Sequence, residues 1–521
     1  MRDSIKCVFN PFCLPNLLEF SERNLPMKKE KGKDGMYWMD KQNGERVLLI
    51  SFQKGRNASA SGGFKGRLIS NNSQRLLICP YNHTNASALR KVFPWTSPRV
   101  LGKKPAFGMG YRPSWGLGNV AQALLAKELG ITVMLAQQSA REVERTGRSF
   151  ADVVDRATWS AFEAHLNIPW GADGDHLKTE EQVREAVSAG YTYFTYDPSQ
   201  EIENKADWLE VKELEEAFRR TIPDEKRKRL LKKYPGHSFN ILPFSYSFSL
   251  DQVMRIGVKY YRALGKVFKL YRLTKDLKGR EPFDAEISVD ETQKETTPLE
   301  QVFISNELKE KGVQLAGLAP HFPGYFEKAI DYYSQKDLQT GKKRRDLKDF
   351  EKRLREIVAI ARYFGYKVSV HSGSDKFLIY PLLSKIAKGL LHLKTAGTSY
   401  VEEMKIIARH DPNLFREVYT FARGEFQRER ATYELSTNLN NIPDPFNLKG
   451  EEIANLLESG SGNDDLRQLI HVTYGSVLSR FRECLWEILR ENEEELFTTL
   501  SNHLKRHLRP LGLIEKFRTN T

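Results

Sequence analysis

Short apolar runs alternate with stretches of helical periodicity from about residue 105 onward. Runs of apolar or small residues predict buried strands, and apolar positions spaced three and four apart predict helices between them. Regular alternation of the two is typical of βα units and a parallel sheet. Eight candidate strands follow one another: AFGMGYR, ITVMLAQQ, PWGADGDH, YTYFTYDP, FDAEISVDE, VQLAGLAP, KVSVHSG and LLHLKTAG.

Eight such steps predict an α/β fold, a TIM-like (β/α)8 barrel, although a doubly wound open sheet would give a similar pattern. Residues 1–104 contain strand-like runs between Gly, Asn and Ser clusters and are predicted to form a β-rich extension. The barrel is expected at 105–400, with a helical insertion at about 201–250 after the fourth strand. Residues 401–521 are predicted to be helical and to pack on the barrel.

Composition narrows the class of protein. No apolar run is long enough to span a bilayer, and the N-terminus makes a poor signal peptide. The four cysteines form no C-x-x-C pair, so we expect reduced thiols and a cytoplasmic location; they are Cys7, Cys13, Cys79 and Cys484.

The net charge of +14 lies largely in Lys/Arg runs at 28–33, 226–233 and 342–353. The last two runs lie in mixed-charge helical contexts, so we expect solvated helix faces and no nucleic-acid partner.

Three histidines directly follow predicted barrel strands: His176, His321 and His371. Residues at the carboxyl ends of barrel strands line one mouth, so three imidazoles there predict a divalent metal site, with Zn²⁺ or Mn²⁺ as the expected ion. The alternative is that each histidine caps its own strand. His392 falls within a strand and is expected to face a helix.

Carboxylates in the same mouth provide candidates for acid and base catalysis. Asp175 adjoins His176, and period-two alternation places Glu286, Ser288 and Asp290 on one face of their strand. A carboxylate facing a barrel interior is costly unless it is paired, liganded or functional. The candidate catalytic residues are therefore Asp175 and either Glu286 or Asp290, with structural ion pairing as the alternative.

The last two predicted strands run into the small-residue turns SGSDK and TAGTS, where barrels often bind an anion. Lys376 and Lys394 flank these turns and Lys178 follows His176, so these three lysines are candidates for binding a substrate carboxylate or phosphate. The alternative is that these residues only form turns and cap the helices that follow.

WGLGNVA at 115–121 fits a dinucleotide-binding motif, but the preceding residues are not an apolar strand and the next strand ends in Gln137 and Gln138. We therefore expect no bound NAD.

Several separated motifs, in order, resemble those of the tagaturonate epimerase family: GADGDHLKT, AEISVDET, LAPHFPGYFEK, VSVHSGSDKF and HLKTAGTS. The resemblance implies an isomerase of hexuronate catabolism that interconverts tagaturonate and fructuronate, and it extends the expected substrates to fructose and tagatose. It also implies a divalent metal at His176, His321 and His371, and acid/base carboxylates at Asp175 and in the AEISVDE strand.

Tagaturonate and fructuronate differ at the carbon β to the ketone, whose hydrogen that carbonyl does not acidify. Simple enolisation therefore cannot invert it, and without NAD we expect retro-aldol cleavage and re-closure. A metal-dependent aldolase is the closest alternative, and a basic nucleic-acid-binding protein is the alternative from another class. The expected partner is a small sugar acid or ketohexose, with a homo-oligomer left open.

Overall fold

The structure is a computed structural model. It describes residues 28–32, 35–42, 44–52, 62–70, 75–110, 117–337, 341–395, 397–431 and 433–513. The chain divides into two compact units: the smaller comprises residues up to Ser61 with Lys65–Pro80, and the larger comprises Gly62–Phe64 and everything from Tyr81 onward.

The smaller unit contains a five-stranded antiparallel sheet in the order β1-β2-β3-β5-β4. Buried and partly buried positions alternate along the second strand, where Tyr37 and Met39 are buried. The β-rich character predicted for the N-terminal region is therefore confirmed, and the compact unit ends at Pro80, whereas the sequence suggested residue 104. The strands are β1 Glu30–Lys31, β2 Gly35–Gln42, β3 Glu45–Phe52, β4 Arg67–Ser70 and β5 Arg75–Pro80.

The larger unit contains a closed barrel of eight parallel strands. Each contains part of one predicted strand, so the barrel is confirmed and the open-sheet alternative is wrong. In sheet order from the first in the chain, they are β6 Ala106–Met109, β7 Val133–Ser139, β8 Trp170–Leu177, β9 Tyr193–Tyr196, β12 Asp284–Val289, β13 Gly317–Pro320, β16 Lys367–Val370 and β17 Leu391–Thr395. Two short hairpins complete the strands: β10 Ser238–Ile241 with β11 Phe244–Ser247, and β14 Gln335–Lys336 with β15 Lys343–Arg344.

Helices connect the barrel strands and form the C-terminal region. Within the first β/α turn, Gly116 of the Gly-x-Gly-x-x-Ala motif lies outside the described residues, and Gly118 is buried in the first turn of the next helix. The helices are α1 His83–Val92, α2 Leu117–Leu129, α3 Ala140–Arg145, α4 Phe150–Glu163, α5 Glu180–Ser188, α6 Val211–Thr221, α7 Asp224–Lys233, α8 Leu250–Lys278, α9 Pro298–Glu310, α10 Lys348–Phe364, α11 Tyr380–Ile386, α12 Thr398–His410, α13 Pro412–Arg430, α14 Gly450–Leu456, α15 Asp464–Val472, α16 Tyr474–Glu491 and α17 Glu493–Leu508.

The insertion after β9 contains α6 and α7 but also the β10–β11 hairpin, so it is less helical than the sequence suggested. The basic run at 226–233 lies on α7 and forms ion pairs, among them Lys233 with Glu307 at 2.9 Å. This run is therefore the mixed-charge helix face that the sequence predicted.

A continuous apolar core surrounds the barrel, and α12 to α16 share a second core to which α2 and α17 also contribute. Among the described residues, no helix combines the length and apolar character needed to cross a membrane. Cys79 is buried and Cys484 is exposed, whereas Cys7 and Cys13 lie outside the described residues.

Candidate active site

The carboxyl ends of the barrel strands open into a cavity of about 1600 Å³. Parallel strands in a closed barrel all end on the same face, so side chains far apart in sequence meet there. Seven of the nine residues singled out above as catalytic, metal-binding or substrate-binding line this cavity: Asp175, His176, Lys178, Asp290, His321, His371 and Lys394.

Two adjacent residues of β8 reach this cavity because the strand is irregular at its end. The pairing of β8 with β9 shifts register between Gly174 and Leu177, and His176 has a φ of 53°. In a regular strand, neighbouring side chains would point to opposite faces. The irregularity lets Asp175 and His176 both line the cavity.

His176 and His371 face each other across the barrel mouth. Nε2 of His176 lies 3.1 Å from Nδ1 of His371. The other nitrogen of each ring contacts a carboxylate: Nδ1 of His176 lies 2.9 Å from Asp197, and Nε2 of His371 lies 2.8 Å from Glu286. A ring that donates its N–H to a carboxylate presents its other nitrogen as an acceptor, which is the usual arrangement of metal-binding histidines.

Negative charge dominates the surroundings of this histidine pair. Burial lowers the pKa of His176, but the charges of Asp175 and Asp197 outweigh burial and raise this pKa to about 10. Burial is likewise outweighed at His371, where Asp290 contributes most to raising the pKa to about 9. The potential that favours a proton on either ring favours any cation between them.

Lys394 stands at the base of the cavity inside a cage of acids. Burial lowers the pKa of its ammonium, but three carboxylates outweigh this and hold the pKa above its ordinary value. They lie 2.8, 2.8 and 2.9 Å from Nζ and belong to Asp173, Asp175 and Glu286. The hydroxyl of Thr195 accepts a further hydrogen bond at 2.7 Å.

The acids of this cage differ in pKa. Burial alone would raise the pKa of Asp175, but Lys394 and then His176 and His371 lower it to about 2. Burial raises the pKa of Asp173 to about 6, since Lys394 opposes that effect only in part. Of the three acids around Lys394, Asp175 is thus ionised and lines the cavity.

Glu286 and Ser288 share the interior face of β12, and Asp290, directly after the strand, lies on the same side, as alternation predicted. Glu286 is fully buried beneath the cavity, and it accepts a hydrogen bond of 2.6 Å from Tyr193. Asp290 lines the cavity, accepts from Ser288, and lies 3.4 Å from Nδ1 of His371. Burial opposes ionisation of Asp290, yet His371 outweighs it and holds the pKa well below its ordinary value.

His321 lines the same cavity but contacts different groups. Its Nδ1 lies 2.8 Å from the carbonyl oxygen of Thr292, which leaves Nε2 as the ring's other polar atom. Donor atoms at this mouth lie within 4.8 Å of one another in two groups that do not include His321: Asp175, His176 and His371, and His176, Asp197 and Glu291.

The three predicted substrate-binding lysines differ in their surroundings. Lys394 lines the cavity within its acid cage, and Lys178 lines it while contacting Asp197 at 3.1 Å and Glu291 at 3.2 Å. Lys376 is buried, and its ammonium donates to the carbonyl oxygens of Glu327, Ile330 and Ser374. Lys376 therefore contacts the protein's own backbone and is not among the residues that line the cavity.

The expectation that His392 faces a helix is wrong. Its ring lies inside the barrel, 5.1 Å from the ring of Tyr193, with Nδ1 at 3.5 Å from Glu286. His392 and Lys394 are two residues apart on β17 and so share a face. The position of Lys394 inside the barrel therefore requires His392 to be inside as well.

Sequence reasoning also missed residues whose partners are distant in the chain. Arg141, at the start of α3, lines the cavity and contacts Glu291 at 2.8 Å. Thr195 bridges Asp173 and Lys394. The alternation of side chains along β9 could have placed Thr195 inside the barrel. Nothing near Arg141 in the sequence identifies the partner of Arg141.

The SGSDK turn is anchored to the C-terminal helices. Asp375 is fully buried and accepts from Arg467 at 2.5 Å, while its backbone N–H donates to Nε2 of His507 at 3.0 Å. Although Asp375, His503 and His507 lie close enough to hold an ion, the lone pair of His507 is already used by this N–H. The group serves as a structural anchor for the turn that follows His371.

The residues at the barrel mouth suit a divalent cation. His176 Nε2 and His371 Nδ1 face each other at 3.1 Å, a separation that either a shared proton or a cation between them can satisfy, and Asp175 Oδ1 lies 3.9 Å from His176 Nε2. Two imidazoles with a carboxylate form a donor set that suits Zn²⁺ and Mn²⁺.

Comparison with known proteins identifies a family. The family model described as tagaturonate epimerase matches residues 27–511. A tagaturonate/fructuronate epimerase of Thermotoga maritima is 37% identical over 485 residues, which is 92% of this chain and 95% of that protein. The crystal structure of a fructuronate-tagaturonate epimerase from Cohnella laeviribosi is similar with a TM-score of 0.85 and 32% identity, covering 93% of this chain and 95% of that one. A glycerol complex of the same enzyme matches with a TM-score of 0.84.

Proposed function

The chain belongs to the tagaturonate epimerase family, and we propose that it interconverts D-tagaturonate and D-fructuronate with a divalent cation at the barrel mouth. The observation that carries the choice of substrates is the 37% identity with the Thermotoga maritima enzyme over nearly the whole chain. The eight-stranded barrel with its polar mouth supports it, because sugar chemistry in this fold takes place at the carboxyl ends of the strands.

His176 through Nε2 and His371 through Nδ1 would hold the cation, and His321 offers a further nitrogen on the same wall of the cavity. A Zn²⁺ or Mn²⁺ ion bound there would supply Lewis-acid polarisation of the substrate ketone. Asp197 and Glu286 fix the orientation of the two rings from behind. We propose no role for NAD.

Two carboxylates that line the cavity can move the proton of the substrate hydroxyl. As a base, one of them takes the proton from the hydroxyl on the carbon β to the ketone. The bond between that carbon and its α neighbour breaks, leaving an aldehyde and an enediolate. The aldehyde rotates, the bond forms again on its other face, and the carboxylic acid formed in the first step returns its proton to the new alkoxide. The carbon-bound hydrogen is never removed.

We assign these proton transfers to Asp175 and Asp290. Both line the cavity, and both have their pKa held low enough to be ionised at neutral pH. Glu286 is fully buried, which argues for a role in orienting His371 and Lys394 instead of contacting substrate. Lys394 holds Asp175 in place as its closest cation.

The test is an NMR assay of tagaturonate in D₂O with metal-loaded protein. We expect conversion to fructuronate with no deuterium at the inverted carbon, and loss of the activity on chelation followed by recovery with Zn²⁺ or Mn²⁺. Deuterium at that carbon would reject the cleavage route, and full activity after chelation would reject the metal. Accumulation of three-carbon fragments would identify an aldolase instead.

The same chemistry extends to ketohexoses, because fructose and tagatose differ at the equivalent carbon. We propose a slower 4-epimerase activity on that pair, measured in the same assay. The cytoplasmic location and a homo-oligomeric assembly also stay predictions.

A further inference from the structure

A substrate with a carboxylate needs a cation that can receive it. Three cations of the cavity wall already contact internal carboxylates: Lys394, Lys178 and Arg141. Arg353, on the same wall, contacts Glu295 at 3.3 Å. A substrate carboxylate at any of these cations would have to displace an internal carboxylate held at close range, which would cost much of the binding free energy.

Lys328 differs from these cations. It lines the cavity and is half-buried, and its Nζ donates to the hydroxyl of Ser372 at 2.6 Å. Within the described part of the chain, no carboxylate forms an ion pair with this ammonium. A lysine ammonium has three N–H donors, and a single hydrogen bond to a serine leaves its charge unneutralised.

Ser372 completes the arrangement. It lines the cavity and has a φ of 50°, a conformation that is uncommon for residues other than glycine. Because its oxygen accepts from Lys328, its own O–H is directed elsewhere, so the pair offers an ammonium and a hydroxyl side by side. A carboxylate, with two acceptor oxygens, matches these two donors.

The location of the pair also fits the reaction. Ser372 directly follows His371, so their Cα atoms are about 3.8 Å apart. Lys328 lies on the long segment after β13, the strand that His321 follows. A ligand that contacts the ammonium and hydroxyl is therefore next to the histidines at the barrel mouth, as a short-chain sugar acid requires.

From these observations we infer that Lys328 and Ser372 form the subsite for the carboxylate of the sugar acid and so determine the preference for uronates over neutral ketohexoses. The inference rests on the proposed function for the identity of the substrate. It moves carboxylate recognition away from Lys178, Lys376 and Lys394, the lysines that sequence position favoured.

The test compares Lys328→Met, Lys328→Arg and Ser372→Ala with a matched control, Lys352→Met. Lys352 is an exposed lysine at the same cavity, so its substitution removes the same charge without touching the proposed subsite. Steady-state kinetics with tagaturonate and with tagatose would be measured on metal-loaded enzyme, alongside calorimetric binding of tagaturonate and tagatose.

We expect Lys328→Met to raise the KM and Kd for tagaturonate about 10- to 100-fold, the range for a charge-assisted hydrogen bond, with kcat changed much less. Lys328→Arg should recover most of the loss, Ser372→Ala should show a smaller one, and tagatose binding should not change in any variant. Lys352→Met should bind tagaturonate like the wild type.

Unchanged tagaturonate affinity in Lys328→Met would overturn the inference, and so would an equal loss of affinity for tagatose. Equal losses in Lys328→Met and Lys352→Met would also overturn it, since they would indicate a general charge effect. The proposed subsite and the proposed reaction can be rejected independently of each other. If wild-type protein binds tagaturonate through Lys328 but does not epimerise it, the proposed reaction fails while the subsite stands.

Discussion

Nε2 of His176 lies 3.1 Å from Nδ1 of His371, although the two residues are 195 positions apart in the sequence. Each ring is oriented by a buried carboxylate, Asp197 for the first and Glu286 for the second. The geometry therefore leaves one nitrogen of each ring for a common cation, and the carboxylates behind the rings control how well that cation is held.

Replacing Asp197 with Asn should weaken metal binding about 10- to 100-fold, since the ring of His176 loses the carboxylate that fixes its tautomer. Competition against a chelator of known affinity measures the change. Asp276→Asn, an exposed carboxylate on α8, is the control and should bind metal like the wild type. Unaltered metal affinity in Asp197→Asn would show that His176 is not a ligand.

Asp290→Asn should lower kcat about 10²- to 10⁴-fold even at saturating metal, the range for losing a proton-transferring group, although the loss of its charge beside His371 also weakens metal binding. Glu286→Gln should weaken metal binding as well as activity, because Glu286 contacts His371 and not the cavity. Rates at saturating metal, with metal affinity measured separately, distinguish the two roles. The reverse pattern would assign proton transfer to Glu286.

Lys394→Met should lower the free energy of unfolding by about 3–5 kcal/mol, because it leaves three buried carboxylates without their cation. Urea unfolding of the metal-free protein measures this. Adding Asp173→Asn should restore part of the loss. Lys178→Met is the control: its side chain is partly exposed and its removal should cost at most about 1 kcal/mol. A similar loss of unfolding free energy for both lysines would contradict the inference that Lys394 neutralises three buried carboxylates.

His392 predicts a pH dependence of stability. Burial lowers its pKa from 6.5 to about 3, so the native state keeps the ring neutral while the unfolded chain protonates it. The stabilisation is therefore fully present above pH 6.5 and is lost as the pH falls from 6.5 towards 3, by about 1.4 kcal/mol per pH unit. His392→Gln should remove this component from unfolding curves recorded between pH 7.5 and pH 5, and His237→Gln, at an exposed site, should not. Identical pH slopes in wild type and His392→Gln would mean that the ring is not buried as a neutral group.

Arg467 and Asp375 should be energetically coupled. Arg467 is buried and contacts both Asp375 at 2.5 Å and the carbonyl oxygen of Ala329 at 2.9 Å. Arg467→Met alone should cost about 3–5 kcal/mol because Asp375 is left as an unpaired buried charge, whereas the double variant with Asp375→Asn should cost less than the sum of the single changes. A double-mutant cycle of urea unfolding measures the coupling, and additive losses would exclude it.

The sequence by itself determined the barrel and most of the residues at its mouth. Alternating strand and helix patterns identified all eight strands, because burial on both faces leaves a continuous apolar run that can be recognised locally. Strand ends then identified Asp175, His176, His321 and His371, since a closed barrel brings every carboxyl end to one face. Period-two alternation correctly placed Glu286 on the interior face of β12, and Asp290 on the same side directly after the strand.

Only the tertiary structure decided what these side chains contact. Lys376, Lys394 and Lys328 are all lysines near the end of a barrel strand or in the segment after it, yet the first contacts backbone carbonyls, the second three carboxylates and the third a serine hydroxyl. The charge available to a ligand is what remains after these internal contacts. Those partners come from strands and loops dozens to hundreds of residues away, and local pattern carries no information about them. The sequence therefore determines which groups reach the mouth of the barrel, and the packing of distant segments determines which of them are left to bind.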